Sequence, residues 1–414
     1  MREIPTERTI DSTVFLLSEG YRFISNRCER YQTNIFQTRI LLKKTICFRG
    51  EAAAKVFYDT EKFFRENAMP KRVQKTLVGE GGVQGLDGET HRQRKQIFMS
   101  LMAPEHRAQL AELTRQEWHK AAQEWEQRDR VVLFDAANEV FCRAVCAWSG
   151  VPLLEAEVKQ RTQDLAAMID GAGGIALRYL QGRRGREQSE KWIGGIIKKI
   201  RAHELEVPED SAAYAFASHR TPEGNLLDLH GAVVDLINII RPVVAIARYV
   251  TFAALALHEY PECRQKLKDE ADYRELFTQE VRRFYPFFPA IVARTRHAFN
   301  WQEYYFPEKV QVLLDLYGTN HDPALWENPE EFRPERFRQW NDSSFNFIPQ
   351  GGGDYYTSHR CAGEWITIEL MKTALDFLVN SVHYNVPEQN LEVSLSRMPT
   401  MPKSRFIMSN VKRS

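Results

Sequence analysis

Residues 232–257 are apolar over a length that spans a lipid bilayer, yet Asp235, Arg241 and Arg248 interrupt them. Each such charge costs roughly 2.5–3.5 kcal/mol at a bilayer centre. The run therefore reads as a long helix buried in protein, and the remaining chain has to wrap around it. Within it, Arg241 is followed directly by Pro242. Proline in a helix interior costs about 3 kcal/mol or more, and an arginine among apolar side chains needs an anion. A dipeptide expensive on both counts marks a candidate functional site. The plainer alternative is a kinked core helix whose arginine bonds a carbonyl.

Helical periodicity dominates elsewhere. An amphipathic helix is expected at 12–31, and apolar residues recur at spacings of three and four through 51–58, 90–102, 105–126, 135–149, 155–169, 187–203, 212–219, 261–270, 273–284 and 361–379. Residues 35–49 mix β-branched and aromatic side chains as a strand pair does, and short strands are expected after Pro289, at 310–316 and near the C-terminus. The expected class is mainly α with small sheets. No flexible linker and no repeat divides the sequence, so one domain over 1–414 is expected.

Lys plus Arg number 56 against 55 for Asp plus Glu, and a net charge of +1 gives no overall field to draw nucleic acid or an anionic membrane. The six cysteines lack CxxC spacing, which argues against zinc and against a secreted disulfide framework. Residues 1–20 contain neither a signal-peptide core nor a membrane anchor, so a cytoplasmic protein is expected.

One cysteine stands apart. The peptide PQGGGDYYTSHRCAGEW, residues 349–365, carries Cys361 on a glycine-rich loop to the threshold of an apolar helix. Backbone amides at a helix start, with His359 and Arg360 beside it, favour a thiolate, and a heme iron is the simplest partner for a single thiolate. An ordinary buried cysteine after a glycine-rich turn is the alternative. Upstream, Glu280 and Arg283 stand three apart on one helical face. Such pairs are usually solvated surface, but the sequence PERF at 334–337 supplies Arg336, which can close an internal Glu-Arg-Arg network.

The order ExxR, PERF, then a glycine-rich loop with a basic residue two before a cysteine and a glycine two after it resembles the cytochrome P-450 superfamily across essentially the whole chain. The resemblance implies a triangular helical prism with small sheets, a long central helix over heme b, Cys361 as the proximal iron ligand, and a structural role for Glu280, Arg283 and Arg336. Asp354 stands where the superfamily usually has phenylalanine, and Thr357 where it usually has glycine. This form of the loop, with Arg241-Pro242 on the central helix, resembles the bacterial fatty-acid peroxygenase branch. Ordinary members place an acid and an alcohol on that helix; here the positions hold Arg241, Pro242 and Val243.

That branch implies hydrogen peroxide as oxidant and no redox partner. It also implies a long-chain fatty acid whose carboxylate docks on Arg241 and acts as the acid-base group. Gln84, in the glycine-rich stretch 78–88, occupies the position where glutamine accompanies hydroxylases and histidine accompanies members that decarboxylate to terminal alkenes. Arg65, His91, Lys95 and His359 resemble the heme-propionate partners, although 91–95 also reads as a solvated basic face. Val78, Ile169, Ala172, Phe287, Phe288 and Pro289 align with pocket-lining positions and resemble the α-hydroxylating members more than the β-hydroxylating ones, with core packing as the alternative for each. A reductase-dependent monooxygenase and a non-enzymatic heme and fatty-acid sensor are the rival readings.

Overall fold

The computed structural model describes residues 2–221 and 223–414. The expected central helix runs Leu229–Ala245 and resumes as Ala247–Glu259. At the interruption the Ile246 amide bonds the Val243 carbonyl at 3.1 Å, three residues back instead of four. Asp228 caps the start, its carboxylate accepting from the Gly231 amide at 2.8 Å. Leu236, Ile237, Ile240 and Val244 are buried in the largest core cluster.

Two of the three charges in this helix are matched inside the protein. Arg94 Nε donates to Asp235 Oδ2 at 2.6 Å, and the Val83 amide donates to Oδ1 at 3.2 Å. Arg248 donates to the Thr400 carbonyl at 2.8 Å and to Asp170 at 3.2 Å. Buried charges persist only when so partnered. The third, Arg241, is different and belongs to the site.

Helices Pro104–Trp125, Leu133–Ser149, Val158–Ala172 and Leu177–Arg201 surround the centre. The last begins well before the expected 187. Its first turns are rich in arginine, leave Leu177 and Leu180 exposed, and pack by backbone: a Cβ at Gly171 would lie 2.9 Å from the Gly182 Cα. Apolar periodicity cannot report a contact made by glycines. The helix expected at 12–31 is split into Thr13–Glu19 and Phe23–Tyr31 by Gly20, whose φ of 57° lies in the left-handed region. The helix expected from 361 starts at Glu364, so Cys361 precedes it.

The expected strand pair forms as Ile35–Ile40 against Lys43–Phe48, with Ile40 opposite Lys43. Lys43–Phe48 then pairs in parallel with Gln311–Asp315, Thr45 opposite Gln311, and Ala290–Thr295 and Phe63–Phe64 complete a five-stranded sheet. Arg130–Val132, Val382–Asn385 and Ile407–Arg413 form a second sheet, and Phe299–Trp301 with Tyr304–Phe306 a hairpin. The three-residue members of these sheets are too short for a period of two to announce them.

Asp315 ends the parallel strand, caps the next turn through the Gly318 amide at 2.8 Å and accepts from Ser25 at 3.0 Å. Burial pushes its carboxyl from the ordinary 3.8 up to about 7. The folded state thus holds a proton that the unfolded chain has shed, and stability is lost as pH rises from about 4 to about 7. Asp315→Asn keeps an acceptor and removes the titration. Denaturation midpoints followed across that window should be flatter for the variant than for the parent; parallel curves would assign the slope to other groups.

Candidate active site

Cys361 faces a cavity of about 320 Å3 that lies between its own loop and the central helix. The loop is held from several sides. The Cys361 amide bonds the Gln350 carbonyl at 3.2 Å, and the Gln350 side chain donates to the sulfur at 3.8 Å and to Thr367 at 3.1 Å. Gly351 has a φ of 93°, and a Cβ there would meet the Tyr58 hydroxyl at 2.6 Å. Asp354, the residue that departs from the superfamily pattern, accepts from the Tyr356 amide at 2.9 Å and the Thr357 amide at 2.8 Å. It replaces a packed ring by a capped turn.

The charges around the sulfur differ from the expectation. Arg360 is committed to Glu364 at 2.8 Å and lies over the Tyr355 ring, and Arg282 also donates to Glu364. Burial pushes the Glu364 carboxyl up, but Arg282 and Arg360 together bring it below its ordinary range. Burial likewise pushes the Cys361 thiol up and Glu364 adds to that, while the Gly363 amide, Lys95 and Arg282 oppose it. His359 and Arg360 therefore do not supply the stabilising charge; Lys95 and Arg282 do. The protein by itself favours the thiol, and a bound cation has to draw the thiolate out.

Across the cavity stands Arg241. Its Nη2 donates to Asn238 Oδ1 at 3.3 Å, and its Nε is buried without any partner. Burial, with the neighbouring Arg186, lowers its affinity for the proton to a pKa of about 9. A guanidinium remains charged at neutral pH under either influence. No ion pair satisfies it among the described residues. Pro242 lines the same wall. Asn238 was not among the expected site residues, yet it is the hub of this wall. Its Nδ2 donates to the Val78 carbonyl at 2.8 Å and to Gln84 Oε1 at 3.1 Å. Gln84 is thereby turned with its own Nε2 donors free. The signal was present in the sequence: Asn238 precedes Arg241 by three residues, the spacing that puts both on one helix face.

Of the remaining expected residues, Val78, His91, Lys95, Phe287, Phe288 and His359 line the cavity. The rest stand elsewhere. Ile169 and Ala172 pack behind the wall, against Leu77, Val78 and Ala245. Pro289 offers its carbonyl to the Leu316 amide at 2.9 Å and braces the turn instead of forming a wall. Arg65 is buried over the Phe57 ring with its Nη1 unpartnered, beside the cavity and not in its lining. Family-aligned positions of small apolar residues tell little about which layer they occupy, because one helical step separates a wall from its support.

His91 and His359 stack with centroids 4.0 Å apart. Burial lowers both, to about 3 and about 4. They are neutral at pH 7 and offer N–H donors, so the expectation of four cations reduces to Arg65 and Lys95. The orphaned Arg65 Nη1 and this donor cluster fit the carboxylates of a buried anionic cofactor. Among the described residues no group of three or more His, Cys, Asp or Glu can hold a metal. A metal at Cys361 must bring its other ligands with it, and a porphyrin does so.

The cytochrome P450 family profile matches residues 253–408. The fold is similar to that of a variant of cytochrome P450SP alpha (CYP152B1), 52% identical, covering 98% of this chain and 99% of that one with a TM-score of 0.96. It is also similar to cytochrome P450EX alpha (CYP152N1) with myristic acid, 45% identical, covering 100% of each chain with a TM-score of 0.97. Cytochrome P450 71B23 of Arabidopsis thaliana is 32% identical over 125 residues, 29% of this chain and 24% of that protein. The chain thus spans about a quarter of the length of that curated relative.

Proposed function

We propose, from the premise that the chain belongs to the cytochrome P450 family, that it is a single-domain, cytoplasmic peroxygenase that hydroxylates long-chain fatty acids with hydrogen peroxide, mainly at the α carbon. The family implies a heme cofactor, and the chain is a heme oxidoreductase. Heme b would supply the redox chemistry and oxygen transfer, and Cys361 would hold its iron while Arg65, His91, Lys95 and His359 would meet its carboxylates. The observation that carries the substrate reading is the buried guanidinium of Arg241, with no ion-pair partner among the described residues, beside the apolar walls of the cavity. Leaving such a group unmatched is costly, and a carboxylate of the substrate matches it. The relative P450EX alpha, solved with myristic acid, supports a fatty acid as that substrate.

Arg241 binds the carboxylate head, and Leu77, Val78, Phe287 and Phe288 enclose the chain and exclude water. Held on Arg241, the carboxylate oxygen accepts a proton from one peroxide oxygen and returns it to the other, the service that the absent acid-alcohol pair performs elsewhere in the family. Because the head is fixed, the carbon next to it is the one presented to the reacting centre. The α assignment rests on Val78 and the two phenylalanines, since Ala172 lies behind the wall. Decarboxylation to a terminal alkene is the second reading. Gln84 disfavours it, because its freed Nε2 donates a hydrogen bond but cannot relay a proton.

Incubation of the heme-loaded enzyme with a long-chain fatty acid and peroxide, followed by mass spectrometry, should yield a 2-hydroxy acid without any reductase. The methyl ester of the same acid should turn over about a hundredfold more slowly or less, having lost the anion that Arg241 binds. Product formed only with NAD(P)H and electron-transfer proteins, or equal turnover of acid and ester, would overturn the reading.

A further inference from the structure

Although the net charge of the chain is +1, exposed apolar side chains and cations meet at the tip of one hairpin. The hairpin that joins Ile35–Ile40 to Lys43–Phe48 turns through only two residues, Leu41 and Leu42. Both have positive φ, 51° and 61°. A two-residue turn of this hand favours Asn-Gly, because a side chain in the left-handed region meets its own backbone. Here two leucines sit there, and Leu42 is 72% exposed. The conformation is costly, and the side chains gain nothing from the protein's own core.

The tip does not stand alone. The Leu41 amide donates to Thr13 Oγ1 at 2.7 Å, and the Leu42 amide donates to Asp11. These bonds lay the tip against the helix Thr13–Glu19, which turns Leu16 into the core and leaves Val14 72% exposed. Ile10, 81% exposed, precedes it. Around this apolar ridge Arg8, Arg39, Lys43 and Lys44 are exposed, and none makes an ion pair among the described residues. The neighbouring acid Asp11 is engaged by the Thr13 and Leu42 amides. A cleft beside the tip is lined by Lys43, Lys44, Arg294 and Lys309, where Glu308 pairs with Lys309 at 3.1 Å.

We propose that this ridge docks the protein on an anionic phospholipid surface, Leu41, Leu42 and Val14 entering the acyl boundary while the basic rim meets the phosphates. An unpaired cationic border around protruding aliphatic side chains complements a membrane interface, which presents negative charge above an apolar layer. A second copy of the chain does not complement it, because the two borders would repel. The docking is peripheral and needs no spanning segment. It stands independently of the peroxygenase reading.

The test is sedimentation of the heme-loaded enzyme with vesicles of phosphatidylcholine alone or mixed with phosphatidylglycerol, at low and high salt. The enzyme should sediment with the anionic vesicles, about tenfold less with the neutral ones, and less at high salt. Leu41→Asn with Leu42→Gly supplies the residues the turn favours, so this variant should fold at least as stably as the parent while losing about tenfold in vesicle binding. Lys43→Glu with Lys44→Glu should lose binding to a similar degree. Parent enzyme that stays in the supernatant with anionic vesicles overturns the proposal. So does an Asn-Gly variant that binds as well as the parent, which would reduce the effect to adhesion by charge alone.

Discussion

Arg241→Ala is expected to lower hydroxylation of a long-chain fatty acid about a thousandfold, with heme content and thiolate absorption unchanged. Among the described residues the side chain touches no structural anion: it bonds Asn238 at 3.3 Å, and its buried Nε has no partner. Removing it therefore relieves the protein of an unsatisfied charge, and the variant should fold. On the proposed function, what it removes is the cation that would hold the substrate carboxylate where a proton can be exchanged. The loss should fall on kcat as well as KM, because an acid that still enters the apolar cavity is no longer oriented. Arg241→Lys should recover only part, since a lysine is a point charge and not a planar fork. An alanine variant within tenfold of the parent would show that the carboxylate acts elsewhere.

The second large effect is on stability. Glu280 is fully buried; Arg283 donates to both its oxygens at 2.7 and 2.8 Å, Arg336 at 3.2 Å and the Arg333 amide at 2.8 Å. The guanidiniums reach onward, Arg283 to the carbonyls of Asn320 and Pro329 and Arg336 to that of Glu327. One carboxylate thus ties the helix Tyr273–Phe284 to the segment before the cysteine loop, and Asn320 carries the tie to the Ile348 amide at 2.9 Å. Glu280→Gln leaves two buried cations under-compensated, which should cost about 3–5 kcal/mol in equilibrium denaturation. Heme retention should fall with it, because the loop that carries Cys361 loses a support. Glu335 provides the control. It pairs with Lys266 at the surface, where the side chains are 36% and 41% exposed, and Glu335→Gln should cost under about 1 kcal/mol. Equal losses for the two variants would remove the network from its structural role.

The site was legible in the sequence wherever a residue was locally expensive. Cys361 on its glycine loop and Arg241 beside a helical proline each violate what composition alone would place there, whereas Glu280 and Arg283 form an ordinary helical pair that only the order of PERF and the cysteine loop after it singled out. Violations of that kind survive only with compensation, so they point to function or to a network. Residues that violate nothing were harder to place. Asn238 is an ordinary polar residue in a helix until its amide is seen to bond Val78, Gln84 and Arg241. Ile169 and Ala172 are ordinary apolar residues, and nothing local tells a cavity wall from the layer behind it.

By itself, the chain determined its helical class and the position of the central helix, and it marked Cys361 and Arg241 as candidates, because periodicity and unmatched charge are properties of neighbours in sequence. Only tertiary structure decided the charge around the sulfur, the neutrality of His91 and His359 and the orientation of Gln84. Those depend on burial and on partners far away along the chain, as when Lys95 reaches the carbonyl of Ser358 at 2.8 Å. Electrostatic energies are set by distance and by the exclusion of water, and both come into being only when the chain closes on itself.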